Sequence, residues 1–189
     1  MSDEALGIDL ALIRRSAAGD RDAFDAFAGR HGAAVYRYAL ALCHDTSAAD
    51  DALQETFLAA WRGAAGFRGE QGARAWVLTI ARNAVSRRFR RRAGEPREME
   101  PLDILGRAAG WGDETNPESI ALARERVGLI ETALDALDAD DREVLVLRDL
   151  EELSGEEAAR ILGIGLPALK SRLHRARLRF VAHVREIAR

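Results

Sequence analysis

Residues 153–177 read LSGEEAARILGIGLPALKSRLHRAR, and this stretch has the pattern of a short helix, a turn and a second helix. Ser154 is followed three residues later by Glu157, which is the spacing of a capping box at a helix start. Gly163 predicts the end of that helix, and Gly165 predicts the cap of the next one. Two helices joined by so short a glycine turn are typical of a helix-turn-helix.

The second helix of this motif separates apolar from basic residues. Its apolar residues recur every three or four positions and predict one buried face: Leu166, Leu169, Leu173, Phe180, Val184 and Ile187. Off this face lie side chains able to reach phosphates and base edges in a major groove: Lys170, Ser171, Arg172, His174, Arg175 and Arg177. A basic face opposite an apolar stripe is often only a solvated helix surface, so this pattern alone leaves both interpretations open.

The composition is that of a globular protein. The chain has 189 residues, of which 48% are hydrophobic and 31% are charged. It contains no apolar run long enough to span a membrane, and its amino terminus lacks the basic and apolar regions of a signal peptide. We therefore expect a cytoplasmic protein without direct membrane insertion.

Cysteine and histidine usage gives no sign of a disulfide framework or a metal site. Cys43 is the single cysteine, and its apolar neighbours predict a core position rather than a redox role. The four histidines have no metal-ligand spacing with Cys43 or with one another: His31, His44, His174 and His183. We expect no metal and no cofactor.

Charge is separated along the chain, although the formal net charge is only −3. Residues 82–92 contain six arginines and no acid, and residues 167–189 contain seven basic residues against one glutamate. Residues 95–160 hold 19 acids against 7 arginines. Two basic surfaces joined by acidic sequence predict two contacts with one polyanion.

The apolar residues step by three and four almost throughout, which predicts an all-α fold of two small helical domains joined by a flexible linker. We place the first domain at residues 1–93, the linker, rich in glycine, proline and acids, at 94–117, and the second domain at 118–189. The predicted helices cover residues 8–17, 32–44, 47–62, 71–92, 118–137 and 139–151, besides one beginning near Asp20 and the two of the helix-turn-helix. Asp138 is the predicted cap of the helix over 139–151.

Residues 50–61, DDALQETFLAAW, form an acidic and aromatic patch on one predicted helix. Its members fall on two adjacent rows: Asp50, Gln54 and Phe57 on one, Asp51 and Glu55 on the other. The patch could be a carboxylate metal cluster, an exposed helix side or a docking surface. The metal interpretation lacks matching carboxylates on other helices of the domain. We favour docking, with Phe57 and Trp61 as anchors and the acids steering a basic partner.

Residues 66–92 combine a glycine-flanked loop with an arginine-rich helix. The loop bears Phe67 and Arg68, a pair suited to stacking an unpaired base close to its phosphate. The helix offers hydrogen-bonding and cationic groups side by side: Asn83, Ser86 and Arg87, near Arg82 and Arg88. Trp76 and Ile80, spaced by four, are more typical of a core. The segment predicts a surface that helps hold DNA open.

Three motifs in this order resemble the extracytoplasmic function (ECF) sigma factors of the sigma-70 family, which are bacterial promoter-specificity subunits of RNA polymerase. DDALQETFLAAW is similar to the region 2 segment that binds the polymerase. Residues 73–83, ARAWVLTIARN, are similar to the promoter-melting segment, and residues 141–177 are similar to region 4. The resemblance covers nearly the full length.

The resemblance implies a role for each candidate residue. Core polymerase would be bound by Asp50, Asp51, Gln54, Glu55 and Phe57. The minus-10 element would be contacted by Phe67, Arg68, Asn83, Ser86 and Arg87, with an unpaired base captured by the loop. The minus-35 element would be contacted by Lys170, Ser171, Arg172, His174 and Arg175, with Arg177 on the DNA backbone. The linker would run towards the RNA exit path.

The same resemblance implies an alternative sigma factor that directs promoter-specific initiation and is itself no enzyme, since the polymerase does the chemistry. Its partners would be core RNA polymerase, promoter DNA and an anti-sigma factor, without a small-molecule substrate. Two departures concern region 4. Pro167 and Ala168 stand where members commonly carry a hydroxyl residue, which puts a phosphate contact there in doubt, and Leu137 with Asp138 replaces a common Leu-Pro opening.

A stand-alone helix-turn-helix transcriptional regulator with an amino-terminal sensing domain is the alternative. It would recognise DNA without polymerase. That function would leave the acidic patch over residues 50–57 and the second basic helix without a role.

Overall fold

The computed structural model describes residues 3–69, 72–91 and 128–188, and every regular element in these ranges is a helix. This confirms the predicted all-α fold. Among the described residues, a first compact unit holds 3–39, 47–69 and 72–91, and a second holds 40–46 and 128–188. The predicted linker, 94–117, lies outside the described residues.

Four helices and a short 3-10 turn form the amino-terminal half of the chain. They are α1 (Asp3–Ala17), α2 (Arg21–Cys43), α3 (Thr46–Gly63), the turn Ala64–Gly66 and α4 (Ala73–Arg91). As predicted, Asp20 caps α2, since its carboxylate accepts the backbone N–H of Ala23 at 3.0 Å. The same hydrogen bond, followed by one from Arg15, lowers the pKa of Asp20.

The prediction of a separate helix beginning at residue 32 was wrong, because α2 runs without a break through Gly29 and Gly32. Glycine weakens a helix but does not end it unless the backbone turns there. Phe27 and Val35, on either side of this stretch, are both fully buried. Packing of these side chains therefore holds α2 helical across both glycines.

The first unit also contains a buried polar cluster that joins α1 to α2. The Asp9 carboxylate lies 2.7 Å from Nε of Arg30 and 3.0 Å from Nε2 of His31. Asp9 and His31 are 2% and 6% exposed. Burial lowers the pKa of His31 below its ordinary value of 6.5, Asp9 opposes this shift, and Arg30 and Arg74 add to it. Burial therefore favours the neutral form of His31.

The second unit is built mainly from the carboxyl-terminal helices. They are α5 (128–135), α6 (Ala139–Leu145), a π-helical segment (Val146–Leu150), α7 (Gly155–Leu162) and α8 (Leu166–Ile187). Asp138 caps α6 as predicted, accepting the backbone N–H of Asp141 at 2.8 Å. The predicted α-helix over 139–151 changes to π geometry at Val146, where the backbone N–H of Glu151 bonds to the Val146 carbonyl.

Arg142 fastens α6 to the end of α5. Its guanidinium donates to the carbonyls of Leu134, Asp135 and Leu137 at 2.8, 2.9 and 2.7 Å. Carbonyls in the last turn of a helix lack intrahelical donors, so a buried arginine both satisfies them and meets the negative end of the helix dipole. The sequence analysis did not identify this role.

The helix-turn-helix forms at the predicted positions. Ser154 and Glu157 make both hydrogen bonds of the capping box, at 3.2 and 2.8 Å. Gly163 ends α7 in the left-handed region, with φ of +68°, and Gly165 caps α8. A Cβ on Gly155 would lie 3.0 Å from a methyl group of Leu166, so a glycine there lets the two helices approach closely.

Burial along α8 follows the predicted stripe only in part. Leu169 and Leu173 are buried, Leu166, Phe180 and Val184 are half-buried, and Ile187 is 42% exposed. The prediction that Ile187 belongs to the buried face was therefore wrong. Periodicity identifies a face, but that face is buried only where another helix packs against it.

Two further observations concern membranes and metals. None of the helices in the described ranges combines the length and the apolar character needed to cross a bilayer. Within the same ranges, no group of three or more His, Cys, Asp or Glu side chains is close enough to hold a metal ion.

Candidate nucleic-acid and partner interfaces

An exposed face of α3 carries most of the predicted docking residues. Asp50, Asp51 and Gln54 are exposed and Glu55 is half-buried. Leu58 is 51% exposed, although leucine is among the residues most often buried. It follows Gln54 by four residues and Asp51 by seven, so it extends the same helical face. The sequence analysis missed Leu58, which this spacing could have revealed.

Phe57 is shared between this face and the core. Its ring meets those of Phe24 and Phe27 edge to face, with centroids 6.2 and 6.4 Å apart. Trp61 meets Phe24 in the same way at 5.1 Å. Phe57 and Trp61 are both half-buried. Truncating Phe57 would therefore disturb the core as well as the surface.

Ion pairs link α3 to the basic helix α4. Arg87 Nη2 lies 2.8 Å from Glu55 Oε1, and Arg88 Nη2 lies 2.6 Å from Asp51 Oδ2. The resemblance implies different partners for these acids and for Arg87. The structure instead brings them together in one mixed-charge surface of the first unit. Solvent-accessible pairs of this kind contribute about 0–1 kcal/mol each, so a competing macromolecule can displace them.

Phe67, in the loop before α4, rests against Trp76. The two ring centroids are 4.8 Å apart, and Trp76 in turn lies 6.0 Å from Phe27. Phe67 is half-buried, whereas the neighbouring Arg68 is exposed. Trp76 therefore belongs to the aromatic core, as predicted, and also supports the candidate base-stacking residue.

The candidate minus-10 residues of α4 share one side of that helix. Asn83, Ser86 and Arg87 are spaced by three and four residues, which places them side by side. Asn83 is exposed and Ser86 half-buried, and neither side chain bonds to another residue in the described part of the chain. Both hydrogen-bonding groups are thus available to a ligand.

The predicted minus-35 residues of α8 divide into two groups. The first is exposed and makes no side-chain hydrogen bond or ion pair with the residues that the structure describes: Lys170, Ser171, His174 and Arg175. The second is ion-paired. Arg172 lies 3.3 Å from Asp140, and Arg177 donates to both carboxylate oxygens of Asp149 at 2.9 and 2.6 Å. The hydrogen bond to Asp149 raises the pKa of Arg177.

Known proteins are similar to this chain over most of its length. The family model Sigma-70 region 2 matches residues 27–95, and Sigma-70, region 4 matches residues 128–180. The chain is 35% identical to the ECF RNA polymerase sigma factor SigM of Mycobacterium tuberculosis, over 90% of this chain and 82% of SigM. The chain belongs to the ECF sigma factors of the sigma-70 family. This sigma factor is also 32% identical to the RNA polymerase sigma factor CnrH of Cupriavidus metallidurans, over 92% and 93% of the two chains.

Solved structures share the fold of this sigma factor. CnrH in complex with the cytosolic domain of CnrY has a TM-score of 0.67 and 29% identity, over 93% of this chain and 96% of that one. The sigma factor RpoE of Bartonella quintana, in complex with the anti-sigma factor NepR, has a TM-score of 0.66 and 25% identity, over 86% and 96%. The protein is thus an alternative sigma factor for transcription initiation.

Proposed function

We propose that this sigma factor binds core RNA polymerase through α3 and contacts two promoter elements with two separate surfaces. The first unit takes unpaired minus-10 bases, and α8 of the second unit reads duplex minus-35 DNA. Support comes above all from the outward face of α8, where four polar and basic side chains are exposed and unengaged within the described residues. The protein acts in the cytoplasm and performs no chemistry of its own.

The proposed polymerase surface is the α3 face formed by Asp51, Gln54, Glu55 and Leu58, with Asp50 and the exposed part of Phe57 beside it. An exposed leucine gives a partner an apolar anchor, and acids around it favour a basic partner surface. The polymerase would compete with Arg87 and Arg88 for Glu55 and Asp51. Those pairs are partly exposed to solvent, so little free energy opposes their exchange.

The proposed minus-10 surface combines a stacking ring with hydrogen-bonding groups. Phe67, supported from one side by Trp76, would stack an unpaired base, and Arg68 would meet its phosphate. Stacking on an aromatic side chain returns about 1–3 kcal/mol per base, which offsets much of the few kcal/mol required to unstack one. Asn83, Ser86 and Arg87 would contact the neighbouring nucleotides.

The proposed minus-35 surface is formed by Lys170, Ser171, His174 and Arg175. On a helix these residues lie within one outward face, and their side chains can donate to guanine or accept and donate at other base edges. Arg172 and Arg177 flank that face but are engaged by Asp140 and Asp149.

An anti-sigma factor is a further proposed partner. The relative from Bartonella quintana is solved with an anti-sigma factor, and this chain is similar to that relative over most of its length. The second unit offers a surface for such a protein, because Leu178 and Val181 on α8 are 60% and 44% exposed.

Co-elution with bacterial core RNA polymerase on a sizing column tests the polymerase surface. The variant carries Gln54→Ala and Leu58→Ala, which spare the core packing of Phe57. We expect submicromolar binding by the native chain and at least about tenfold weaker binding by the variant, since truncating an interface anchor typically costs more than 1 kcal/mol.

The matched control is Ile8→Ala, because Ile8 is an apolar residue of α1 with 44% exposure, and it should bind as the native chain does. Equal binding by the Gln54 and Leu58 variant would contradict the α3 assignment. Failure of the native chain to bind polymerase, together with promoter recognition by the chain alone, would favour the stand-alone regulator.

A further inference from the structure

Ion pairs hold α8 along both of its edges. Arg177 makes a two-bond contact with Asp149, at 2.9 and 2.6 Å. Arg179 lies 3.0 Å from Asp138 and also bonds to Asp141. Each acid comes from the elements that precede the helix-turn-helix, namely the start of α6 and the π-helical segment.

These contacts have a geometric consequence for α8. Successive residues of an α-helix are about 100° apart around its axis, so Arg177 and Arg179 lie about 200° apart on opposite edges. Ser171, His174 and Arg175 occupy the outward face between those edges. A helix tied on both edges cannot roll about its own axis unless one tie breaks. Together with the buried Leu169, Leu173 and Ala176, the ion pairs therefore determine which side chains point outward.

Asp149 lies in the π-helical segment. The backbone N–H of Glu151 bonds to the Val146 carbonyl at 2.9 Å, which widens the turn by one residue relative to an α-helix. A wider turn changes the angle at which the following side chains leave the helix. Asp149 lies within this wider turn, and it meets Arg177 across 28 residues of sequence.

We propose that Asp149 is a positioning residue for reading the minus-35 element, acting through Arg177 to set the roll of α8. Arg177 then binds the Asp149 carboxylate. It does not make the phosphate contact that the resemblance implies for it. The inference rests on the proposed function of α8. It adds to that function a role for Asp149, which lies outside the recognition helix and does not contact DNA.

Selection of bound sequences tests the inference. Holoenzyme assembled with the full chain is mixed with a pool of promoter-length duplexes whose upstream element is randomised, and the bound DNA is sequenced. Asp149→Asn and Arg177→Gln should each reduce enrichment of the preferred element over scrambled sequence by about tenfold, the order of one base contact. The exchange variant, Asp149→Arg with Arg177→Asp, should restore enrichment to within about twofold, because it re-forms the pair.

A direct phosphate contact by Arg177 gives opposite results and would overturn the inference. Arg177→Gln would then weaken all sequences alike and reduce the slope of log affinity against log salt by about 0.9. Asp149→Asn would strengthen binding by removing a competitor for the guanidinium. The exchange variant would bind worst, because it puts a carboxylate at position 177 next to phosphate.

The matched control is Glu156→Gln, which removes one exposed negative charge from α7 without breaking an ion pair among the described residues. It should leave enrichment unchanged. Circular dichroism establishes that each variant keeps its helices. If Asp149→Asn enriches the preferred element as strongly as the native holoenzyme does, the role of Asp149 is rejected and the proposed function stands. If the native holoenzyme enriches no sequence, the proposed function and this inference are both rejected.

Discussion

At the residue scale, the buried pair of His31 and Asp9 makes the stability of the first unit depend on pH. Burial lowers the pKa of His31 below 6.5 in the folded state, while the unfolded state keeps the ordinary value. Below pH 6.5 the imidazole of His31 is therefore protonated to a greater extent in the unfolded chain than in the folded chain. We expect the free energy of unfolding to fall as pH drops below 6.5, with no contribution from His31 above it.

Urea unfolding at pH 7.0, 6.0 and 5.5, followed by tryptophan fluorescence, measures this dependence in the native chain and in His31→Gln. The variant should lose most of the slope, because glutamine does not titrate. Asp9, Arg30 and Arg74 are the charged groups that face the ring, from α1, α2 and α4. His174→Gln, a substitution at an exposed histidine, should keep the native slope. An unchanged slope in His31→Gln would contradict the prediction.

Lys170 and Arg175 also give a prediction at the residue scale. Replacing either by alanine should cost about 1–3 kcal/mol of binding to the preferred promoter if the side chain reads a base. Contact with phosphate alone would instead weaken all sequences alike and lower the salt slope by about one. Binding of holoenzyme to preferred and scrambled duplexes at several salt concentrations separates these results. Full promoter response in both variants would remove the recognition-helix assignment.

Single residues differ in how far the sequence predicts their roles. The two caps, Asp138 and Ser154, could be predicted because a cap depends on atoms within three residues. The partners of Arg87 and Arg177 could not, since Glu55 and Asp149 lie 32 and 28 residues away. Their pairing depends on how helices pack, which a local pattern does not contain.

At the element scale, two glycines give opposite expectations for the same substitution. Gly163 ends α7 with φ of +68°, so Gly163→Ala should destabilise the chain by about 1 kcal/mol or more, although space around it is open. Gly32 lies inside α2 with equally open surroundings, so Gly32→Ala should stabilise by about 0.5–1 kcal/mol.

Thermal and urea unfolding followed by circular dichroism measure both changes. Gly163→Asn should cost less than Gly163→Ala, because asparagine tolerates the left-handed region better. Destabilisation by Gly32→Ala would show that the backbone at that position is strained, against the continuous helix described for α2.

Elements were predicted best where a local signal marks their ends. The helix-turn-helix and the start of α2 follow from caps and breakers in the sequence. The split predicted within α2 failed because buried side chains outweigh the weak propensity of glycine. The π-helical segment is a shift of hydrogen bonds by one residue, for which the apolar pattern holds no signal.

At the scale of the whole molecule, the predicted domain boundaries lead to an experiment. Fragments covering residues 1–93 and 118–189 should each unfold cooperatively, because each unit has buried apolar residues of its own, such as Phe27 in the first and Leu147 in the second. Circular dichroism against urea measures this, with the full chain as reference. A gradual transition in the second fragment would show that it needs residues 40–46, which belong to the same compact unit.

The order of motifs predicted the whole molecule better than any one motif did. The acidic patch on α3, the basic α4 and the helix-turn-helix could each be an ordinary solvated helix surface when taken alone. The order in which the three occur along the chain indicates the family. Surface composition was less predictable. Leu178 is 60% exposed, which only the packed structure reveals, whereas the exposure of Leu58 agrees with its spacing from Gln54.

The ties along both edges of α8 also bear on engineering. Because Arg177 and Arg179 are anchored to acids of their own unit, Ser171, His174 and Arg175 can be exchanged without touching the contacts that orient the helix. A library varied at those three positions would keep the scaffold constant and change only the side chains that face DNA. Such a library is a starting point for reprogrammed sigma factors that drive separate synthetic gene circuits in one cell.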